Sequence, residues 1–184
     1  MSESKNLVYR TATETDAESI ATLVNGSYFG EESNQGWTNQ NGMVTGKKTS
    51  AESISNMMVN GKGVFLMFFG ETDHILKGSI HLIYNQESNS AYLGMFSVRP
   101  DLQAQGYGKF ILSTAENYAI SNWHVDYIKL RVIMQRPELI AYYVRRGYSD
   151  TGFREPFPKE NLKLTTLLRS DLNVGTMSKC VNKG

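Results

Sequence analysis

The sequence is short of cysteine, of excess charge and of long apolar runs, and each shortage excludes a class of protein. Cys180 is the single cysteine among 184 residues, which excludes an internal disulfide and a multi-cysteine zinc site. The 19 Lys and Arg residues against 18 Asp and Glu residues leave a net charge of +1. No bulk electrostatic field therefore attracts nucleic acid or an anionic membrane surface. We expect neither of these partners and no metal site.

Membrane spans and targeting signals are missing as well. A span needs about 18 consecutive apolar residues, whereas the longest apolar run, Val64–Phe69, has the length of a strand. The first residues lack the apolar core of a signal peptide. We expect a soluble, cytoplasmic protein. A length of 184 residues is typical of one domain; we place it at residues 1–169, with a loose tail at residues 170–184, where hydrophobic periodicity ends.

Four helices are predicted from apolar residues spaced three and four positions apart. Capping-box patterns at Thr15–Glu18 and Thr49–Glu52 mark the starts of the first two. The third and fourth are expected at Gly106–Ser121 and Pro137–Gly147. The polar run Gly30–Thr49 is longer than an ordinary connection, so it is either a binding loop or lid, or disordered.

The remaining apolar runs predict strands. They lie at Leu7–Thr11, Gly63–Gly70, Ile75–Tyr84, Ala91–Val98, Tyr127–Met134, Tyr148–Arg154 and Leu162–Arg169. Three consecutive strands with short turns suggest an antiparallel meander, followed by alternating helices and strands. The order predicts a mixed α/β sheet in one domain.

A glycine-rich turn before the third helix has the form of an anion site. The N–H groups of a first helical turn lack partners within the helix, and the helix dipole adds positive charge. Gly106 and Gly108 would let a diphosphate approach the backbone, and Lys109 would add a charge. A dinucleotide fingerprint is excluded because Ile111 stands where its third glycine is needed, and an ATP-binding P-loop because Asn41 replaces its first. The alternative is a turn whose glycines serve only close packing and bind no anion.

Two segments together indicate a family. Phe96–Lys109 resembles motif A of the GNAT acetyltransferases, a strand ending in Val-x-Pro followed by Gln-x-x-Gly-x-Gly. Ala141–Tyr148 resembles their motif B, a helix with Tyr four residues before Gly-Tyr. The resemblance covers Leu7–Arg169. It implies the GNAT fold, a single mixed, mostly antiparallel sheet of about six to seven strands, flanked by helices and splayed at an acetyl-CoA cleft.

The resemblance also implies where acetyl-CoA, the co-substrate, binds. Main-chain groups at the end of the motif A strand would hold the pantetheine as an added strand; these belong to Phe96, Ser97 and Val98. The pyrophosphate would fall on the turn that follows, formed by Gln103, Ala104, Gln105, Gly106, Tyr107, Gly108 and Lys109.

Tyr143 matches the motif B tyrosine, which commonly protonates the leaving CoA thiolate in this family. A phenol with an ordinary pKa near 10 is protonated at neutral pH and can donate that proton. The competing interpretation is a core residue, because Tyr143 also lies on the packed face of its helix. Its neighbour Tyr142 points about 100° away around the helix.

A general base is not evident in the sequence. Arg131 stands where family members that act on protein N-termini carry a Glu, and Arg136 stands where they carry an Asn, so that branch is disfavoured. His81 is a candidate base or a packed strand residue, and Glu31 and Glu32 could recognise a cationic amine. Deprotonation through water needs no base residue.

We expect an N-acetyltransferase acting on the primary amine of a small molecule. The first helix, the Gly30–Thr49 loop with Trp37, and the strand ends near Arg131 would form the acceptor pocket. Polyamines, amino acids, aminoglycosides, arylamines and peptide lysines all remain open as acceptors. The alternatives are a catalytically silent module that binds and senses acyl-CoA, and an interaction domain. A homodimer is expected, through Leu162–Arg169 or the tail.

Overall fold

The structure is a computed structural model that describes residues 6–29, 42–158 and 163–182. Within these ranges lie four helices: α1 (Ala17–Phe29), α2 (Ala51–Val59), α3 (Tyr107–Trp123) and α4 (Pro137–Val144). The same ranges contain nine strands: β1 (Leu7–Thr11), β2 (Val44–Gly46), β3 (Val64–Gly70), β4 (Leu76–Asn85), β5 (Ser90–Val98), β6 (Tyr127–Ile133), β7 (Ser149–Pro156), β8 (Thr165–Leu167) and β9 (Asn173–Cys180).

Seven strands form one sheet in the order β1-β3-β4-β5-β6-β9-β7, and β2 pairs with β8 in a separate two-stranded sheet. Every neighbouring pair is antiparallel except β5 and β6, which are parallel. The expected mixed, mostly antiparallel sheet flanked by helices is confirmed, and so are the three-stranded meander and the four helices.

Helices cover both faces of this sheet. On one face α3 buries Ile111, Leu112, Ala115 and Ala119, as its spacing predicts, against apolar side chains of the central strands. On the other face α1 and α2 pack on Phe65 and Met67 of β3 and on neighbouring apolar residues. Among the described residues, none of the helices has the length and apolar character that crossing a membrane requires.

Both predicted helix caps are displaced. The first helix is entered through a short 3₁₀ turn, Glu14–Asp16, and the backbone N–H of Thr13 donates to Asp16 Oδ2 over 2.8 Å, so the box spans Thr13–Asp16 rather than Thr15–Glu18. At α2 the cap is Ser50, whose Oγ accepts from the N–H of Ser53, rather than Thr49. Adjacent Ser, Thr and acidic residues allow several caps, and the packed face of the helix selects among them.

The predicted loose tail is wrong for Asn173–Cys180. These residues form β9, which lies between β6 and β7 and pairs with both. Its apolar residues, Val174 and Met177, are buried, but Gly175 and Thr176 separate them and leave little alternation in the sequence. Tertiary pairing rather than intrinsic propensity therefore creates this strand.

The predicted strand Leu162–Arg169 is shorter and lies elsewhere than expected. Residues 161 and 162 lie outside the described residues, and Thr165–Leu167 pairs with Val44–Gly46 instead of closing the main sheet. The predicted Gly30–Thr49 loop therefore contains a strand near its end. Its residues 30–41, including Glu31, Glu32 and Trp37, lie outside the described residues.

Candidate functional site

The central parallel strands β5 and β6 separate partway along their length. They are paired from Ser90↔Tyr127 to Leu93↔Leu130, and no pair follows among these described strands. Beyond that point β5 stays paired with β4, and β6 stays paired with β9 as far as Ile133↔Val174. The sheet thus opens into a V between the second halves of β5 and β6.

A β-bulge lies where the strands separate. On β4 only Ile80 lies between the paired residues Ser79 and His81, whereas their partners Ser97 and Gly94 enclose both Met95 and Phe96. Met95 has a φ of +44°, in the left-handed region. A bulge bends its strand and redirects its side chains, which accounts for the turn of β5 away from β6.

The opening is the floor of a cleft of about 960 Å³. Residues of α1, α2, β4, β5, β6 and α4 line it, together with the segments before α2 and around β8. Its lining includes Tyr28, Lys48, Glu52, Lys62, His81, Tyr92, Phe96, Arg131, Arg136, Tyr143, Phe157, Pro158 and Lys163. The first helix and the strand end near Arg131, both predicted for the acceptor pocket, are among the walls.

Tyr143 on α4 is a wall residue of this cleft and is 6% exposed. Its ring lies edge-on to Tyr142 and Tyr148, with centroids 5.3 and 5.7 Å away. Burial raises the pKa of Tyr143 well above its ordinary value, with smaller increases from Tyr28 and Tyr142. The phenol is therefore protonated at neutral pH. Tyr143 is packed among aromatic rings and also lines the cleft, and its role as general acid stays a prediction.

The glycine-rich turn follows β5 at its carboxyl end, after a short 3₁₀ turn at Pro100–Leu102. Gly106 is the N-cap of α3 with φ +90°, which favours glycine, and a Cβ built there would meet no atom within 4 Å. Gly108 and the exposed Lys109 lie in the first turn of α3. The turn thus presents an open, positively polarised helix end beyond the Phe96 end of the cleft.

Two of the predicted contact residues also form side-chain hydrogen bonds that order the turn, Gln103 to the end of β5 and Gln105 within the turn itself. The buried Gln103 donates from Nε2 to the Val98 carbonyl over 3.0 Å, and Ser27 Oγ on α1 donates to the same oxygen over 3.0 Å. Gln105 Nε2 donates to the Asp101 carbonyl over 2.9 Å. The Val98 carbonyl is occupied by these side chains, so an added extended ligand would have to use other main-chain groups of Phe96–Val98.

Lys48 and Tyr28 form a pair inside the cleft that the sequence did not indicate. The Lys48 ammonium lies 5.2 Å from the centre of the Tyr28 ring. Burial lowers the pKa of Lys48 to about 8 and raises the pKa of Tyr28 to about 12. The Asn25 amide fixes the backbone beneath the lysine, because Oδ1 accepts from the N–H of Lys48 over 2.8 Å and Nδ2 donates to the Thr49 carbonyl over 3.0 Å.

His81 lines the cleft with a defined tautomer. Its Nε2 lies 2.7 Å from the Lys62 carbonyl, which can only accept, so Nε2 carries the proton and Nδ1 carries the lone pair. The ring stacks on Phe65 with centroids 4.1 Å apart. Burial lowers the pKa of His81, so the imidazole is neutral at pH 7. The candidate base is thus in the cleft and is also a packed strand residue.

The two arginines that depart from the family pattern are both in the cleft wall and are both paired with carboxylates. Arg131 Nε lies 3.1 Å from Glu155 Oε1, and its guanidinium is 5.5 Å from the centre of the Tyr92 ring. Arg136 is 6% exposed and forms an ion pair with Glu138. A guanidinium donates hydrogen bonds and has no acceptor, so neither arginine replaces a carboxylate base.

The end of the predicted Gly30–Thr49 loop, at Lys48 and Thr49, lines the cleft as expected. Sequence reasoning missed Glu52 on α2 and the segment after β7, at Phe157 and Pro158. No sequence pattern assigns these three residues to the cleft, because the sheet topology brings them there. Among the described residues, no group of three His, Cys, Asp or Glu side chains could hold a metal ion.

A model of the acetyltransferase (GNAT) family matches residues 43–148. Solved structures share the fold. The spermidine N-acetyltransferase of Vibrio cholerae in complex with CoA and spermine has a TM-score of 0.70 at 17% identity, covering 97% of this chain and 96% of that one. A spermidine/spermine N-acetyltransferase of the same organism, with manganese ions, has a TM-score of 0.67 at 18% identity, covering 95% and 92%. No curated protein sequence matches the chain.

Proposed function

The chain belongs to the acetyltransferase (GNAT) family, and on that premise we propose that it transfers the acetyl group of acetyl-CoA to the primary amine of a small molecule, with Tyr143 as general acid. The observation that carries the proposal is the opening between β5 and β6, with Tyr143 in its wall and the helix end of α3 beyond it. A structural neighbour in complex with CoA and spermine supports a CoA-dependent reaction with a small amine.

Acetyl-CoA is proposed to lie across the opening, with its diphosphate at the first turn of α3. Contacts from Gln103, Ala104, Gln105, Gly106, Tyr107, Gly108 and Lys109 would then surround the phosphates, while Phe96, Ser97 and Val98 border the pantetheine. A helix N-terminus stabilises phosphate through its N–H groups and its dipole. The open space over Gly106 is consistent with such an approach.

In the proposed reaction the neutral amine attacks the thioester carbonyl carbon, a C–N bond forms and the C–S bond breaks. The leaving thiolate takes the phenolic proton of Tyr143. The new ammonium loses a proton to water or to His81 Nδ1, and Tyr143 regains a proton, so charge and protons balance. Burial raises the pKa of Tyr143, so the phenol carries its proton at neutral pH.

The function is tested by acetyl-CoA turnover with an amine library, following thiol release and the mass of each amine. We expect one or more small primary amines to gain an acetyl group at a rate that depends on the protein. Calorimetric binding of acetyl-CoA without acetylation of any amine would contradict the enzyme and support the silent sensor. If the protein neither binds acetyl-CoA nor acetylates any amine, the result would support the interaction domain.

A further inference from the structure

We infer that the acceptor amine also carries a carboxylate, which the Lys48 ammonium binds inside the cleft. This deepens the proposed function and rests on it. The inference begins with the charges on the walls. Among the described residues that line the cleft, five are cationic and one is acidic: Lys48, Lys62, Arg131, Arg136 and Lys163, against Glu52.

The five cations are not equivalent. Arg131 and Arg136 are each paired with a carboxylate, Glu155 and Glu138. Lys62 and Lys163 are exposed at the edge. Lys48 is half-buried, and among the described residues no carboxylate oxygen lies within 4 Å of its ammonium.

A half-buried ammonium without a counter-ion is costly, and an anionic ligand removes that cost by forming a charge-assisted hydrogen bond. The protein holds the backbone that carries this ammonium in place. The Asn25 amide fixes the backbone at Lys48, while the Thr165 hydroxyl binds the Lys47 carbonyl over 2.9 Å. Burial of the Lys48 side chain also lowers its pKa, to about 8.

Acetyl-CoA does not supply this anion under the proposed binding mode. Its charged groups are the phosphates, which belong at α3, whereas the acetyl and pantetheine groups in the opening are uncharged. Lys48 lies over the ring of Tyr28 on α1, which packs on the sheet face opposite α3. Lys48, Tyr28 and Tyr143 all line the cleft. The lysine is therefore placed to meet the acceptor near the reacting atoms.

The same charges distinguish among acceptor classes. A polyamine would bring several positive charges to a wall with a cationic excess, and like charges repel. A dianionic phosphate is best bound by the fork of an arginine, but both arginines of the cleft are already paired. The Lys48 ammonium, which meets no carboxylate among the described residues, matches one carboxylate.

The test compares amines that differ only in the anion. The probes are 4-aminobutanoate and its amide, L-phenylalanine and its amide, phosphoethanolamine and ethanolamine, and spermidine. Wild-type protein is expected to prefer each carboxylate over its amide in kcat/KM, chiefly through a lower KM. Lys48→Met should reduce that preference by roughly 10- to 100-fold, as expected for loss of one charge-assisted hydrogen bond, with the Kd of acetyl-CoA unchanged.

Two variants sharpen the result. Lys47→Met removes the adjacent exposed lysine and should leave the preference unchanged, while Lys48→Glu should shift it toward the amides and spermidine. Comparing each variant with wild type cancels the different basicities of the paired amines.

Several outcomes overturn the inference while leaving the proposed function intact. These are spermidine or phosphoethanolamine as the best wild-type substrate, equal carboxylate preference in wild type and Lys48→Met, or a stable acetyl group found on Lys48 itself. The wild-type comparison stands even if a variant fails to fold. Binding of acetyl-CoA with no amine acetylated overturns the proposed function, and the inference with it.

Discussion

Gly106 and Gly108, two residues apart at the start of α3, differ in what a side chain would disturb. Gly106 has φ +90°, so any side chain there strains the backbone by about 1 kcal/mol. Gly108 lies within the helix and has no positive φ. A substitution at Gly108 therefore tests the approach of a ligand with less disturbance of the turn.

Gly108→Val is expected to weaken acetyl-CoA binding by at least about tenfold, as for loss of one charge-assisted hydrogen bond, because a branched side chain blocks the first turn of α3. Calorimetry measures the affinity and circular dichroism the fold. Ser121→Val, on the exposed surface near the other end of α3, controls for the helix propensity of valine. Unchanged affinity for acetyl-CoA in folded Gly108→Val protein would show that the diphosphate does not bind at this turn.

Residue roles could be predicted from the sequence only where a local motif carries them. Motif B singled out Tyr143, and the structure puts it in the cleft wall. Lys48 has no such motif, because its position depends on Asn25 from α1 and on pairing between distant strands β2 and β8. Contacts between segments far apart in sequence leave no periodic signal.

At the scale of elements, the entry to α1 depends on Asp16. Its carboxylate accepts from Arg10 and from the Thr13 N–H, and the side-chain hydrogen bond from Arg10 is the main reason that its pKa falls to about 2. A carboxyl group with a lowered folded-state pKa contributes stability that is present above its ordinary pKa of 3.8 and is lost as the pH falls toward 2.

Asp16→Asn should reduce the free energy of unfolding at neutral pH by about 1 kcal/mol, the usual cost of losing a cap. The free energy of unfolding of the variant should also fall less steeply below pH 4, since the titrating carboxyl group is gone. Urea titrations at neutral pH and through the acid range measure both effects. Glu18→Gln, an exposed acid in the first turn of α1, is the control, and an equal response in both variants would argue against the cap.

Strand β9 is an element that the sequence did not predict and that the sheet requires. It pairs with β6 on one side and with β7 on the other. A chain that ends at residue 172 should therefore lose cooperative unfolding, because two strands lose their partner. A chain that ends at residue 182 retains β9 and should unfold like the full chain. Cooperative thermal unfolding of the shorter chain would contradict this pairing.

At the scale of the whole molecule, more of the fold than of the candidate site could be predicted from the sequence. The strands from Val64 to Val98 and helix α3 carry strong apolar patterns, and their predicted bounds agree with the structure within a few residues. The opening between β5 and β6 came from a family resemblance. In physical terms it depends on the bulge at Met95 and on β9 holding β6 apart, and neither is visible as a pattern in the sequence.

The homodimer stays a prediction, and of the two proposed contact regions the structure favours the segment around β8 over β9. Strand β9 lies inside the sheet and has no open edge, whereas Leu164 and Leu168 beside β8 are 42% and 55% exposed. Sedimentation should give about twice 20.7 kDa for wild type and a monomer for Leu168→Lys. Val59→Lys changes another exposed apolar residue and should remain dimeric. A concentration-independent wild-type species of 20.7 kDa would contradict the dimer.

The most direct test of the catalytic cleft is the turnover of Tyr143→Phe with saturating acetyl-CoA and amine. Phenylalanine keeps the ring contacts with Tyr142 and Tyr148 and removes the hydroxyl. We predict that kcat falls by about 10²–10⁴-fold, the range for loss of a general acid, while the Kd of acetyl-CoA and the Tm change little. Tyr142→Phe, one position away on α4, should retain wild-type kcat. Full activity in Tyr143→Phe would show that the thiolate leaves without this proton, and Tyr143 would then be a packing residue.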